Sequence, residues 1–167
     1  SKGADLYHLI VATWPGGKRR AIVPSRNPLR SPHLSPSGRY VVFSLLTGES
    51  SVIYLVRADG KGLRPVVRNR AFNTEPSFSP DGSRILFLSN LRGRKYSDVC
   101  VVDRTGGSFR NLTESLNFIN QHPVVSPDGK WVIFHSIRYG DCDIYRVPLR
   151  GGDPENLTDH PAWDQMP

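Results

Sequence analysis

The sequence predicts an all-β protein assembled from a repeated four-stranded unit, and three observations carry that prediction. A block of proline, two residues and Ser-Pro-Asp/Ser-Gly occurs three times: from Pro32 to Gly38, from Pro76 to Gly82 and from Pro123 to Gly129. The leading prolines stand 44 and 47 residues apart, and a further 44 residues leads to Pro167. Each block is followed by a short run of β-formers that reaches a phenylalanine, at Phe43, Phe87 and Phe134. A period of this length with strand-rich content is that of β-propeller blades, sheets of four antiparallel strands arranged radially.

Each element of the repeat has its own physical reason. The first strand, Leu34-Ser35, Phe78-Ser79 or Val125-Ser126, is short and close to proline, which suits the innermost strand of a blade. In the Ser-Pro-Asp-Gly turn that follows, proline fixes φ near −65°, the aspartate bonds the local backbone and glycine accepts a positive φ. Ser37 takes the aspartate's place in the first copy. The second strand, Tyr40 to Phe43, Ile85 to Leu88 or Val132 to His135, is apolar on both faces, as a strand between stacked blades must be. The third strand, Ile53 to Val56, Val99 to Val102 or Ile144 to Val147, leads into a glycine-bearing hairpin turn. The fourth, Leu63 to Val67, Phe109 to Thr113 or Glu155 to Thr158, is more polar, as an outer edge should be.

The repeated Pro-x-x-Ser-Pro-Asp-Gly, the Asp143-Ile144-Tyr145 run and the Gly-Gly turns followed by Asn-Leu-Thr resemble the WD-like β-propeller repeat of TolB-type proteins. The resemblance covers nearly the whole chain. It implies a non-catalytic binding platform, and it leans toward a location outside the cytoplasm. The expected organisation is three full blades plus a partial one. Residues 1–31 form an outer half blade of third and fourth strands, 32–75, 76–122 and 123–160 form whole blades, and 161–167 begin the next. Propellers typically close with about four to eight blades, so the chain is expected either to be a fragment or to assemble with further copies.

Composition narrows the partners. Of the 167 residues, 38% are hydrophobic and 22% charged, an ordinary balance for a globular body. The net charge of +7 is uneven: residues 1–70 hold 12 Lys/Arg against 3 acids, and residues 71–167 hold 10 against 12. The arginines are spread over several turns rather than one stripe, which argues against nucleic acid. Lys18, Arg19 and Arg20 near one end and Asp153, Glu155 and Asp159 near the other make head-to-tail contact attractive, and a homo-oligomer is expected if the chain is not a fragment. No apolar run approaches the roughly 20 residues that span a bilayer. Cys100 is expected in an inner strand and Cys142 in a loop, in different blades and without a disulfide.

Two loop sets are candidate binding surfaces. Asn73, Asn120 and Asp164 each stand three residues before a repeat proline, and with Glu75, His122 and Gln165 they are expected as a polar ring at the channel mouth. The alternative for these positions is turn capping, which Asn and Asp before proline perform routinely. Arg92, Arg94 and Lys95 beside Tyr96 form a candidate anion loop, because guanidinium groups pair bidentately with phosphate or carboxylate; a solvated loop is the alternative.

Enzyme signatures are lacking. The sequence has no Gly-x-Ser-x-Gly elbow, no His-Glu-x-x-His and no phosphate loop, and its five histidines show no metal-ligand spacing. No cofactor is implied. Asn111-Leu112-Thr113 and Asn156-Leu157-Thr158 fit a glycosylation sequon but share one repeat position, so a fourth-strand consensus is the simpler reading. The expected function is a protein-binding or self-assembling scaffold. The alternatives are carbohydrate or small-ligand binding at the channel mouth, or the lid of a prolyl-oligopeptidase-like hydrolase whose catalytic domain lies elsewhere.

Overall fold

The computed structural model describes residues 6–167 apart from Trp14, Arg92, Arg94, Ser115, Leu116, Asn117 and His160. Its described elements are all strands. A two-stranded sheet, β1 (Tyr7–Ala12) and β2 (Arg19–Ser25), precedes three four-stranded antiparallel sheets. Blade 1 holds β3 (Leu29–Leu34), β4 (Tyr40–Leu46), β5 (Ser51–Arg57) and β6 (Arg64–Val67) in that spatial order. Blade 2 holds β7 (Asn73–Phe78), β8 (Arg84–Ser89), β9 (Asp98–Asp103) and β10 (Arg110–Asn111). Blade 3 holds β11 (Ile119–Val125), β12 (Trp131–Arg138), β13 (Asp141–Pro148) and β14 (Glu155–Asn156). Sequence order equals spatial order in every sheet, the meander that a blade requires.

The repeated turn explains its own sequence. Ser35, Ser79 and Ser126 each accept, at Oγ, the backbone N–H of the residue five positions on, 3.0 Å away in all three cases. Asp81 and Asp128 each accept the serine hydroxyl at 2.6 Å, and Ser37 meets Ser35 at 3.2 Å. The glycine of each turn has φ of 69–71°, a left-handed backbone that only glycine adopts without strain.

Three apolar clusters fill the gaps between successive sheets. Leu9, Val23, Val41, Phe43 and Val56 join the half blade to blade 1. Val42, Ile53 and Leu55 meet Phe78, Ile85, Phe87 and Cys100 between blades 1 and 2. Leu86, Leu88, Val99 and Val101 meet Val132, Phe134, Tyr145 and Val147 between blades 2 and 3. The central strands β4 and β8 are therefore buried on both faces, which their continuous apolar runs require.

A row of arginines crosses the same gaps at the outer edge. Arg20 donates to the Ala58 carbonyl in the following blade at 2.8 Å. Arg64 does the same to the Arg104 and Thr105 carbonyls at 2.5 and 3.2 Å. Arg110 lies against Gly151, with a guanidinium nitrogen 3.3 Å from where a Cβ would stand. The matching register position of blade 3 is Glu155, which pairs with Arg146 of its own sheet at 2.7 Å.

Several expectations change. The inner strands start at Leu29, Asn73 and Ile119 and contain the repeat proline, so each blade begins a few residues ahead of the expected limits 32, 76 and 123. A bulge between Arg30 and His33, Thr74 and Ser77, or Gln121 and Val124 admits the proline, which has no N–H to give the ladder. The fourth strands of blades 2 and 3 shrink to two residues, because Asn111 and Asn156 turn their amides onto Asp98 and Asp143, at 2.9 and 3.1 Å, rather than extending the sheet. Cys142 is not in a loop: it stands in β13 and is fully buried, and neither cysteine is bridged by a disulfide.

Candidate functional site

The inner strands converge on one cavity of about 360 Å³. Its wall is made by equivalent residues of successive repeats: the repeat prolines Pro32, Pro76, Pro123 and Pro167, and the residue ahead of each, Ser31, Glu75, His122 and Met166. Those four residues have φ of 47, 50, 50 and 59°. A non-glycine residue at positive φ carries strain of about 1–3 kcal/mol, and the proline after it further disfavours an α-type backbone. The bulge imposes this conformation at every blade, and it turns a side chain toward the cavity at each step. The backbone is thus constant around the wall while the side chains differ: a hydroxyl, a carboxylate, an imidazole and a thioether.

Two further imidazoles belong to this region: His33 lines the cavity and His135 is buried behind His122. His33 in β3 accepts the Phe78 N–H of β7 at Nδ1, 3.4 Å away. His135 in β12 is 1% exposed, and its ring centroid lies 5.0 Å from that of His122. Its Nδ1 accepts the Met166 N–H at 3.3 Å and its Nε2 meets Gln121 Oε1 at 3.0 Å. Burial holds His135 below the ordinary histidine pKa of 6.5, with like-charge repulsion from His122 added, and partial desolvation at the cavity edge lowers His33, whose residue stays exposed.

The expected polar ring divides in two. Glu75 and His122 reach the cavity. Asn73 and Asn120 are fully buried in the joints between blades. Asn73 Nδ2 donates to Ser51 O at 2.7 Å and Asn69 Oδ1 at 2.8 Å, and its Oδ1 accepts from Ser89 at 2.9 Å. Asn120 Nδ2 repeats the bond one blade on, to Ser97 O at 2.7 Å. At Asp164 the equivalent joint is backbone N–H to Cys142 O at 2.8 Å, the Cys142 thiol donates to the Asp164 carbonyl at 3.4 Å, and Gln165 is exposed. Residues two apart share a face of a regular strand, so it is the bulge after Thr74 and after Gln121 that separates the asparagines from the cavity residues. Ser31, His33, His135 and Met166 were not among the expected site residues; the position just ahead of each repeat proline was the signal that would have found Ser31 and Met166.

The other candidates are placed as follows. Arg92 and Arg94 lie outside the described residues, and Lys95 is exposed with Nζ 5.7 Å from the Tyr96 ring centroid. Lys18, Arg19, Asp153 and Asp159 are exposed, whereas Arg20 and Glu155 are engaged within the chain. Among the described residues no group of three or more His, Cys, Asp and Glu is arranged to hold a metal ion, and no helix is long and apolar enough to cross a membrane.

Comparison with known proteins agrees with this geometry. The chain is 29% identical over 153 residues to the Tol-Pal system protein TolB of Francisella tularensis subsp. mediasiatica, covering 90% of this chain and 34% of that protein. It is 32% identical over 153 residues to the TolB of Bordetella pertussis, covering 91% and 34%. The crystal structure of TolB from Acinetobacter baumannii superimposes with a TM-score of 0.75 at 25% identity, covering 95% of this chain and 39% of that one. An oligogalacturonate lyase from Vibrio parahaemolyticus shares the fold at a TM-score of 0.74 and 18% identity. The chain spans about a third of the length of the curated relatives it matches. The family model described as the TolB beta propeller domain matches residues 1–167, and with the blades, the turn motif and the relatives in agreement, the chain belongs to that family.

Proposed function

We propose that this chain is a non-catalytic segment of a TolB-like propeller that binds another protein at the channel mouth. The observation that carries the reading is the wall of four strained residues, Ser31, Glu75, His122 and Met166, with one backbone and four chemistries. Glycine would relieve the strain at each position, so fold stability does not account for the side chains kept there. A protein surface presenting a cation to Glu75 and apolar groups to Met166 and the proline rings matches this wall. The relatives' membership of a Tol-Pal system supports a protein partner from such a system, and the family resemblance supports a location outside the cytoplasm.

The test is calorimetric titration of the whole protein with purified Pal from the same cell. Glu75→Arg is expected to weaken binding at least tenfold, while Lys95→Ala, on an exposed loop, leaves it unchanged. Equal affinity for the Glu75→Arg variant and the parent would remove the channel mouth from the interaction.

A further inference from the structure

We infer that the channel wall is a proton-sensitive joint, in which His33 and His135 each hold one repeat to the inner segment of the next only while their imidazoles are neutral. The inference rests on the channel mouth being the binding surface and concerns how that surface is regulated. His33 links β3 to β7 through the Phe78 N–H, and His135 links β12 to the 161–167 segment through the Met166 N–H. In both joints the imidazole is the acceptor and a backbone amide of the next repeat is the donor. An imidazole accepting at Nδ1 carries its proton on Nε2, so His135 donates from Nε2 to Gln121 Oε1, and its two bonds define one neutral tautomer. A second proton has only Nδ1 to occupy. There it replaces an acceptor by a donor that faces another donor, and the contact turns from attractive to repulsive.

Among the described residues no hydrogen bond or ion pair joins a carboxylate to His135. β11 presents Gln121 and His122, β13 places Ile144 opposite, and the last segment presents a backbone N–H. At His33, β4 places Val42 opposite and β7 presents the Phe78 ring at 6.1 Å. Glu75 is the carboxylate lining the same cavity. Burial lowers His135 from 6.5 and partial desolvation lowers the more exposed His33 in the same direction, so the closed joint binds its proton less readily than the open, solvated one. The sign follows: closure is at full strength above pH 6.5 and is lost as pH falls through 6.5 toward the lower pKa of the closed state. Each imidazole weakens its joint by up to about tenfold per pH unit in that window. Acid therefore loosens the wall that carries Ser31, Glu75, His122 and Met166, and a partner held there at neutral pH is released.

Amide hydrogen exchange on the whole chain without any partner, between pH 7.5 and 5 and corrected for intrinsic rates, tests this directly. The Phe78 and Met166 amides are expected to lose protection relative to amides in the centre of β8 as pH falls below 6.5, with a slope of up to about tenfold per pH unit. In His33→Asn and His135→Asn, Oδ1 stands where Nδ1 stood, accepts the same N–H and does not titrate, so the loss should vanish at the matching amide. Flat protection in the parent, or equal loss in the asparagine variants, overturns the inference. Imidazole titration by NMR in the parent decides the matter should a variant unfold: a His135 pKa at or above 6.5 overturns it and one below supports it. Because no partner is present, failure here leaves the Glu75→Arg titration to judge the binding surface separately.

Discussion

Asn73→Ala is the most demanding test of how the blades are joined. The side chain is fully buried, and its carboxamide satisfies Ser51 O at 2.7 Å, Asn69 Oδ1 at 2.8 Å and Ser89 Oγ at 2.9 Å, with a longer bond to Ala71 O at 3.3 Å. Losing three short bonds, and leaving buried partners without them, costs about 3–4 kcal/mol at roughly 1 kcal/mol per bond plus desolvation. That is a large share of the roughly 5–15 kcal/mol that holds an ordinary domain folded. Asn120 occupies the same place one blade later but is a weaker joint. It keeps the bond to Ser97 O at 2.7 Å and one to Thr113 Oγ1 at 3.3 Å, and its buried Oδ1 has no hydrogen-bond partner among the described residues. Asn120→Ala removes that unsatisfied oxygen together with the bonds and costs only about 1 kcal/mol. Urea denaturation followed by circular dichroism reads both as shifts of midpoint at unchanged slope. A cost at Asn73 below about 1 kcal/mol, or equal costs at the two positions, refutes the reasoning from partner counts.

Three further outcomes follow from the packing. Phe87→Ala empties a site that is 0% exposed between blades 1 and 2 and should cost about 3–5 kcal/mol by the same denaturation assay. Gly106→Ala should cost about 1–3 kcal/mol, because φ is +96° there and the new methyl would stand 3.3 Å from the Val66 carbonyl of the preceding blade. Asp81 is held down to a pKa of about 2 from 3.8, first by the Ser79 hydroxyl and then by the Ser83 backbone and hydroxyl. Its contribution is present above pH 3.8 and is lost as pH falls toward 2, so Asp81→Asn should flatten the decline of melting temperature across that window, modestly because the group is exposed.

The blade architecture was legible because the residues that build it obey local rules. Ser79, Pro80, Asp81 and Gly82 close their turn with bonds inside a few residues, and the runs at Phe43 and Phe87 declare burial on both faces without reference to anything distant. The channel wall was less legible. Asn73 and Glu75 are two residues apart and were expected on one ring; the bulge between Thr74 and Ser77 turns Glu75 to the cavity and leaves Asn73 in the joint. A register shift has no composition signal apart from the proline that permits it. His135 was hidden for another reason: it ends the apolar run of β12, and its partners Gln121 and Met166 lie 14 and 31 residues away, a proximity that only the folded chain creates.

The outer arginines make the stack an ordered series rather than a set of equivalent sheets. Arg20 and Arg64 grip the next sheet through backbone carbonyls, groups that every blade offers whatever its sequence, and Arg110 lies against the equivalent turn of blade 3. A blade with arginine at this position can be followed by any other. Glu155 has no proton to give a carbonyl, and Arg146 already occupies it. Blade 3 therefore lacks this arginine grip. Lengthening the array by duplicating blade 1 or blade 2 preserves every outer contact, whereas duplicating blade 3 breaks one at the new seam, so the three units carry a reading direction written in a single side chain each.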